Sequence, residues 1–122
     1  MIVRHVSNSS QVRAIDHPVT EQLSLPGVLH ALSDPVRLAI VCALERDAEL
    51  ACGRLEVSVS KSTLSHHLKV LRDAGLTHTR ADGVRRFVSL RRDDIEARFP
   101  GLLSCVIEHS TRQSGPTVGV GA

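Results

Sequence analysis

The spacing of apolar and polar positions divides the chain into five helices and one hairpin. "LPGVLHAL" predicts a short apolar helix over residues 25–32. A second runs through "VRLAIVCALERD" to about residue 47, with Ser33 or Asp34 as N-cap and Pro35 in the first turn, where its missing N–H is no loss. It is apolar nearly all round and should be central. A third, short helix fits "ELACGRL", residues 49–55. Ser60 is the natural N-cap of a fourth, which ends where Gly75 can take the left-handed position after the helix. Helix, tight connection, capped helix describes a helix-turn-helix.

Downstream, "LTHTR" and "VRRFVSL" are β-prone runs separated by Ala81 and the turn-forming pair Asp82-Gly83, a strong hairpin signal. With Asp82-Gly83 as a two-residue turn, Arg80 lies opposite Arg85, and facing like charges call for an anion to relieve them. Phe99, Leu102, Leu103, Val106 and Ile107 then repeat at helical spacing, predicting an amphipathic helix started by Pro100 and running to about residue 109. Residues 1–22 and 110–122 have no sustained period and read as loose tails around a domain over 23–109. The expected fold class is mainly α with a small β-hairpin.

Composition narrows the function. At 122 residues and 42% apolar content the chain fits one globular domain. Two Phe and no Trp or Tyr leave no aromatic platform for stacking single-stranded bases. No run approaches a membrane span and "MIVRHVSNSS" lacks a signal peptide's apolar stretch, so a cytoplasmic protein without a membrane partner is expected. Cys42, Cys52 and Cys105 are odd in number and unrelated in spacing, which argues against a disulfide framework.

The net charge of +2 hides a strong local asymmetry. Residues 53–92 hold nine cations against three acids, an excess of +6, while the rest of the chain sums to −4. That is the footprint of a polyanion-binding surface, although a solvated basic face would look the same on charge alone.

Residue types on the fourth helix separate these readings. At ~100° per residue, Thr63, Leu64, His67, Leu68, Val70 and Leu71 fall on one half, and Lys61, Ser62, Ser65, His66, Lys69 and Arg72 on the other. A face chosen for helix stability would use Glu, Lys, Ala and Gln; this one uses Ser and His and has no acid. Short hydroxyls allow close approach to a groove, Lys and His supply donors, and the helix dipole adds a positive end at Ser60. The adjacent His66 and His67 point about 100° apart and cannot share a metal ion, so His67 is expected as a packing residue.

The blocks "LSDPVRLAIVCAL", "KSTLSHHLKVLRDAGL" and "RADGVRRFVSL", in this order, resemble a bacterial transcriptional regulator of the ArsR/SmtB winged helix-turn-helix family over roughly residues 25–108. The resemblance implies a homodimer through the first and last helices, and a repressor that reads a pseudo-palindromic operator in double-stranded DNA. It implies that Lys61, Ser62, Ser65 and His66 enter the major groove and that Arg80, Arg85 and Arg86 form the wing. The full expected DNA-binding set is Ser60, Lys61, Ser62, Ser65, His66, Lys69, Arg72, Arg80, Arg85 and Arg86.

Departures from the family pattern bear on the input signal. Metal sensors of the family often carry a C-x-C pair on the third helix; here "ELACG" leaves Cys52 alone, and one thiolate is not a soft-metal site. On the last helix Cys105, Glu108 and His109 share a face without matching the family's ligand pattern. Two copies could assemble four N/S ligands suited to zinc, which keeps a metal-responsive repressor with an interfacial transition-metal site as an alternative. Cys52 as a thiol sensor is the competing input, and it requires an accessible thiol of depressed pKa. A winged helix used as a protein-interaction module without an operator is a further class. No paired carboxylates, Gly-rich phosphate loop or nucleophile-base arrangement suggests an enzyme, and no cofactor is expected.

Overall fold

The computed structural model describes residues 15–112 and 119–120. Its helices are α1 (Leu25–Leu32), α2 (Pro35–Arg46), α3 (Lys61–Asp73), α4 (Arg92–Arg98) and α5 (Leu102–Arg112). Its strands are β1 (Leu50–Ala51), β2 (Leu55–Glu56), β3 (Thr77–Asp82), β4 (Arg85–Leu90) and β5 (Gly119–Val120). β1, β4 and β3 form one antiparallel sheet in that order, and β2 pairs with β5. Mainly α with a small hairpin sheet is the fold class expected.

The caps explain where the helices start and stop. Asp34 Oδ1 accepts the Val36 and Arg37 N–H groups at 2.8 and 3.1 Å, opening α2 beside Pro35. Burial alone would raise the Asp34 pKa; those two donors, with His67 and Arg37 close by, more than offset it and hold the carboxyl below its ordinary value. Ser60 Oγ accepts Thr63 N–H at 3.2 Å to open α3. At the other end Leu76 N–H reaches Leu71 C=O and Gly75 N–H reaches Arg72 C=O, both at 3.0 Å, a Schellman closure with Gly75 at φ +87°. A Cβ at Gly75 would also collide with the Leu23 side chain.

α2 is central, burying Ala39, Ile40, Val41, Ala43 and Leu44. Around it Leu71 and Leu76 from α3 and its exit, Val88 of β4, Ile95 of α4 and Leu103 of α5 complete a core without aromatic rings. One charge lies inside. Arg37, buried on α2, donates from Nε to Ala31 C=O at 2.7 Å and from Nη2 to His30 C=O at 3.2 Å, and its Nη1 meets His67 Nδ1 at 3.1 Å. It thereby satisfies carbonyls at the end of α1 and ties them to α3.

Four expectations need correction. The helix over 49–55 is a single 3-10 turn at Cys52–Arg54 between two short strands. Leu50 pairs with Val88 and Ala51 with Phe87, giving the backbone partners that a capless helix with Gly53 at its middle would have lacked. The hairpin turn is Gly83-Val84, with Gly83 at φ +63°, so Arg80 faces Phe87 and Arg85 faces Asp82. The expected repulsion between Arg80 and Arg85 is absent.

The last helix begins at Leu102 rather than at Pro100. Proline steers the preceding Phe99 out of the helical region (φ −135°, ψ 73°), and Gly101 at φ +84° turns the chain before α5 begins. α4 was not expected because Ile95 is its one buried residue, too few for a visible period. Finally, residues 15–22, expected as tail, include a 3-10 turn at Thr20–Gln22, and Arg91 Nη1 donates to Pro18 C=O at 2.7 Å. α5 likewise runs past 109 to Arg112. Residues 1–14, 113–118 and 121–122 of the two expected tails lie outside the described residues.

Replacing Arg37 by Leu should cost ~3 kcal/mol or more, because it strands the buried Ala31 carbonyl and the His67 ring nitrogen. Arg37→Lys should recover only part, since one ammonium cannot span three separated acceptors. Urea midpoints check this; a loss under ~1 kcal/mol for Arg37→Leu would contradict the bracing role.

Candidate nucleic-acid interface

α3 divides into two faces much as its residues imply. His67, Leu68 and Leu71 are buried, whereas Lys61, Ser62, Ser65, His66 and Lys69 are exposed and Arg72 is half-exposed. Thr63, expected on the packed half, is exposed, with its Oγ1 accepting from Ser60 Oγ at 3.0 Å. Ser60 is thus occupied as a cap and also lies 3.2 Å from Ser62 Oγ. His67 packs inward against Arg37, as its place on the wheel implies. Lys69 pairs with Asp73 at 2.6 Å, but both are well exposed and such pairs yield easily to another anion.

The hairpin distributes its arginines between two faces. Arg86 shares the face of Val88 and, with Lys61, Ser65, Lys69 and Arg72, lines a cleft of about 1160 Å³ between α3 and the hairpin. Arg80 and Arg85 lie on the opposite face, where both guanidiniums rest over the Phe87 ring at 4.4 and 5.2 Å from its centroid. Arg80 is further held by a bidentate pair with Glu49 at 2.8 and 2.9 Å, which raises the Arg80 pKa and lowers that of Glu49. Arg86 therefore belongs to the cationic cleft, while Arg80 and Arg85 form a separate outer edge. Glu49 was missed in the sequence because the partnership spans 31 residues and depends on the hairpin register.

Cys52 also lines the cleft. It is half-buried, and burial pushes its thiol pKa up despite the opposing influence of Arg86 and Arg72. The depressed thiol that a sensor at Cys52 requires is not what this position provides. On α5, Cys105 is exposed, Glu108 is paired with Arg112 at 2.8 Å, and His109 is exposed. Among the described residues no three His, Cys, Asp or Glu side chains are placed to hold a metal ion.

One rim of the cleft comes from residues that sequence patterning left out. Ile15 and Asp16 line it, and the following residues anchor them to the hairpin. His17 Nε2 accepts Thr79 N–H at 3.0 Å, at the sheet edge, and its ring stacks on His78 at 4.3 Å. Burial first, then His78, Arg91 and Arg72, push the His17 pKa below its ordinary value.

Comparison with known proteins agrees with this geometry. A family model described as "Helix-turn-helix domain" matches residues 32–80. The chain is 44% identical over 79 residues to an uncharacterized HTH-type transcriptional regulator, YceK, of Bacillus subtilis, covering 62% of this chain and 79% of the relative. It is 38% identical over 73 residues to an arsenical resistance operon repressor of Staphylococcus xylosus, covering 59% and 70%. A crystal structure titled as an ArsR family transcriptional regulator superposes with a TM-score of 0.56 at 21% identity, covering 74% of this chain and 98% of the other, which speaks for the fold.

Protonation of His17 would remove the lone pair that accepts Thr79 N–H. Its lowered pKa makes the anchor's contribution fully present above the ordinary value of 6.5 and lost as pH falls through the lower folded value. The Thr79 amide protection factor, corrected for intrinsic exchange, should hold steady above neutrality and drop on acidification. His17→Ala should abolish the dependence; a pH-independent wild type would contradict the assignment.

Proposed function

This chain belongs to the ArsR type of helix-turn-helix transcriptional regulators, and from that membership we propose that it works as a homodimer that reads a pseudo-palindromic operator in double-stranded DNA. The observation that carries the reading is the outer face of α3 from Lys61 to Arg72, which holds no acid before Asp73 at the helix end, beside a cleft lined by Arg86 and Arg72. Ser62, Ser65 and His66 reach base edges in the major groove, with Lys61 and Lys69 flanking them; Arg72 and Arg86 grip phosphates. Arg80 and Arg85, on the outer edge, contribute less. Repression follows from occupancy of the operator, and no catalytic step or cofactor is part of this reading.

The dimer interface is proposed on α1 and α5. Leu25 and Leu29 on α1 are 43% and 47% exposed, and Val106 and Ile107 on α5 are only partly covered, more apolar surface than a monomeric helix pair should show to water. A cytoplasmic location accords with a DNA partner, and among the described residues no single helix is long and apolar enough to cross a membrane. A metal site formed by Cys105, Glu108 and His109 of two copies stays subordinate, because Glu108 already has Arg112 and the described residues of one copy bring no three donors together.

Ser65→Ala or His66→Ala should cut discrimination between operator and random duplex by about 1–3 kcal/mol, while Arg86→Ala weakens both alike and lowers the salt slope by roughly 0.9. Binding to DNA from upstream of the chain's own coding sequence, titrated at several salt concentrations, tests this. Sequence preference changed by Arg86→Ala and untouched by His66→Ala would reverse the roles.

Leu29→Asp, at an exposed position, should leave the fold intact and yield monomers that bind the full operator poorly. Sedimentation of the wild type at micromolar concentration as a folded monomer would count against the interface.

A further inference from the structure

We propose that the cleft between α3 and the hairpin also binds a small organic anion, an apolar body carrying one carboxylate, and that this ligand competes with DNA. The competition rests on the DNA-binding reading above; the site itself does not. Its basis is one hydroxyl. Thr79 is 6% exposed, and its Oγ1 finds no hydrogen-bond partner among the described residues. Thr79 lines the cleft and pairs across the hairpin with Val88, so its side chain stands on the cleft side of the sheet with Val88 and Arg86. A buried hydroxyl without an acceptor is unfavourable, and a carboxylate oxygen reaching it from the cleft would satisfy it.

The rest of the lining has two chemical halves. Leu64 and Leu68 of α3, with Ile15 and Val88, form an apolar wall that offers nothing to a phosphate backbone but suits a hydrocarbon body. Lys61, Lys69, Arg72 and Arg86 supply four cations against the two acids Asp16 and Asp73. Lys69 is paired with Asp73, whereas among the described residues no ion pair engages Lys61, Arg72 or Arg86. Arg86 lies two residues from Val88 on β4, diagonal to Thr79, within reach of a head group that accepts from Thr79 Oγ1. Asp16 and Asp73 disfavour a doubly charged head, which selects a monocarboxylate over a phosphate ester. At about 1160 Å³ the cleft has room, since roughly 300–1,000 Å³ holds a drug-sized molecule. A carboxylate on Arg86 occupies a cation that the duplex also uses, so ligand and DNA exclude each other.

The test uses the full chain with octanoate as probe, and acetate and octanamide as controls, at constant ionic strength. Backbone amide shifts of Leu68, Thr79 and Val88, followed by NMR, should titrate to saturation with octanoate. Acetate, which lacks the apolar body, and octanamide, which lacks the charge, should not saturate them. Thr79→Val should weaken octanoate roughly tenfold, as a lost hydrogen bond to a charged group does, while DNA affinity without octanoate and the thermal midpoint hold. Thr77→Val removes the other buried hydroxyl without a partner, one that does not line the cleft, and should leave octanoate affinity unchanged. Octanoate should also release a fluorescent random-sequence duplex, read by anisotropy. No saturable octanoate shift, or equal binding by Thr79→Val and the wild type, would overturn the site and leave the proposed function standing. Saturable octanoate binding that leaves the duplex bound would overturn the competition. A chain that binds neither this duplex nor its own upstream DNA, yet takes octanoate through Thr79, would overturn the proposed function and support the site.

Discussion

The guanidinium of Arg37 is the constraint on which the arrangement of the three N-terminal helices depends. A charge inside a small aliphatic core is costly unless every donor finds an acceptor, and this one uses Ala31 and His30 carbonyls and the His67 ring. Those acceptors come from two other helices, so satisfying the charge sets the position of α1 and α3 against α2 at once. Asp34, four ångströms from His67 Nδ1, caps α2 from the same spot. Leu, Ile and Val packing alone would tolerate small rotations of α3 about its axis; a hydrogen bond to His67 does not.

That orientation governs what α3 can present. With His67 turned inward, the helical repeat turns Ser62, Ser65, His66 and Lys69 outward as a single surface. The Schellman closure at Gly75 then sends the chain directly into β3, and Arg91 N–H returns to Leu76 C=O at 2.8 Å, so the hairpin is held at the exit of the same helix. Reading surface and wing are thus two consequences of one set of packed elements. His17 and Pro18 join the same unit through the sheet edge at Thr79 and through Arg91.

The electrostatics of the cleft follow from pairing register as much as from composition. The turn at Gly83-Val84 places Arg86 beside Val88 and α3, and sends Arg80 and Arg85 to the far face, where Phe87 and Glu49 hold them. A register displaced by two residues would have set Arg85 against Arg80 and left Asp82 in the turn. Gly83 decides between these because the left-handed backbone at the first turn position favours glycine there, and Val84, at 98% exposure, requires nothing of the core.

Much of this was written locally and could be read locally. The caps at Asp34 and Ser60, the stop at Gly75, the central α2, the two faces of α3 and the inward His67 follow from interactions within a few residues or from a 3.6-residue repeat, and the excess of cations over 53–92 is plain arithmetic on the chain. Tertiary structure decided what depends on distant partners. Leu50 and Ala51 become a strand because β4 supplies the other half of the ladder, 38 residues away in the case of Val88. Glu49 finds Arg80, Arg37 finds His67, and His17 finds Thr79 across separations at which sequence carries no pairing signal. Burial raises the Cys52 thiol pKa, and no neighbour in the chain foretells that burial. Local sequence specifies backbone propensity and periodicity, whereas register, burial and long-range hydrogen bonds are settled only when the elements compete for the same core.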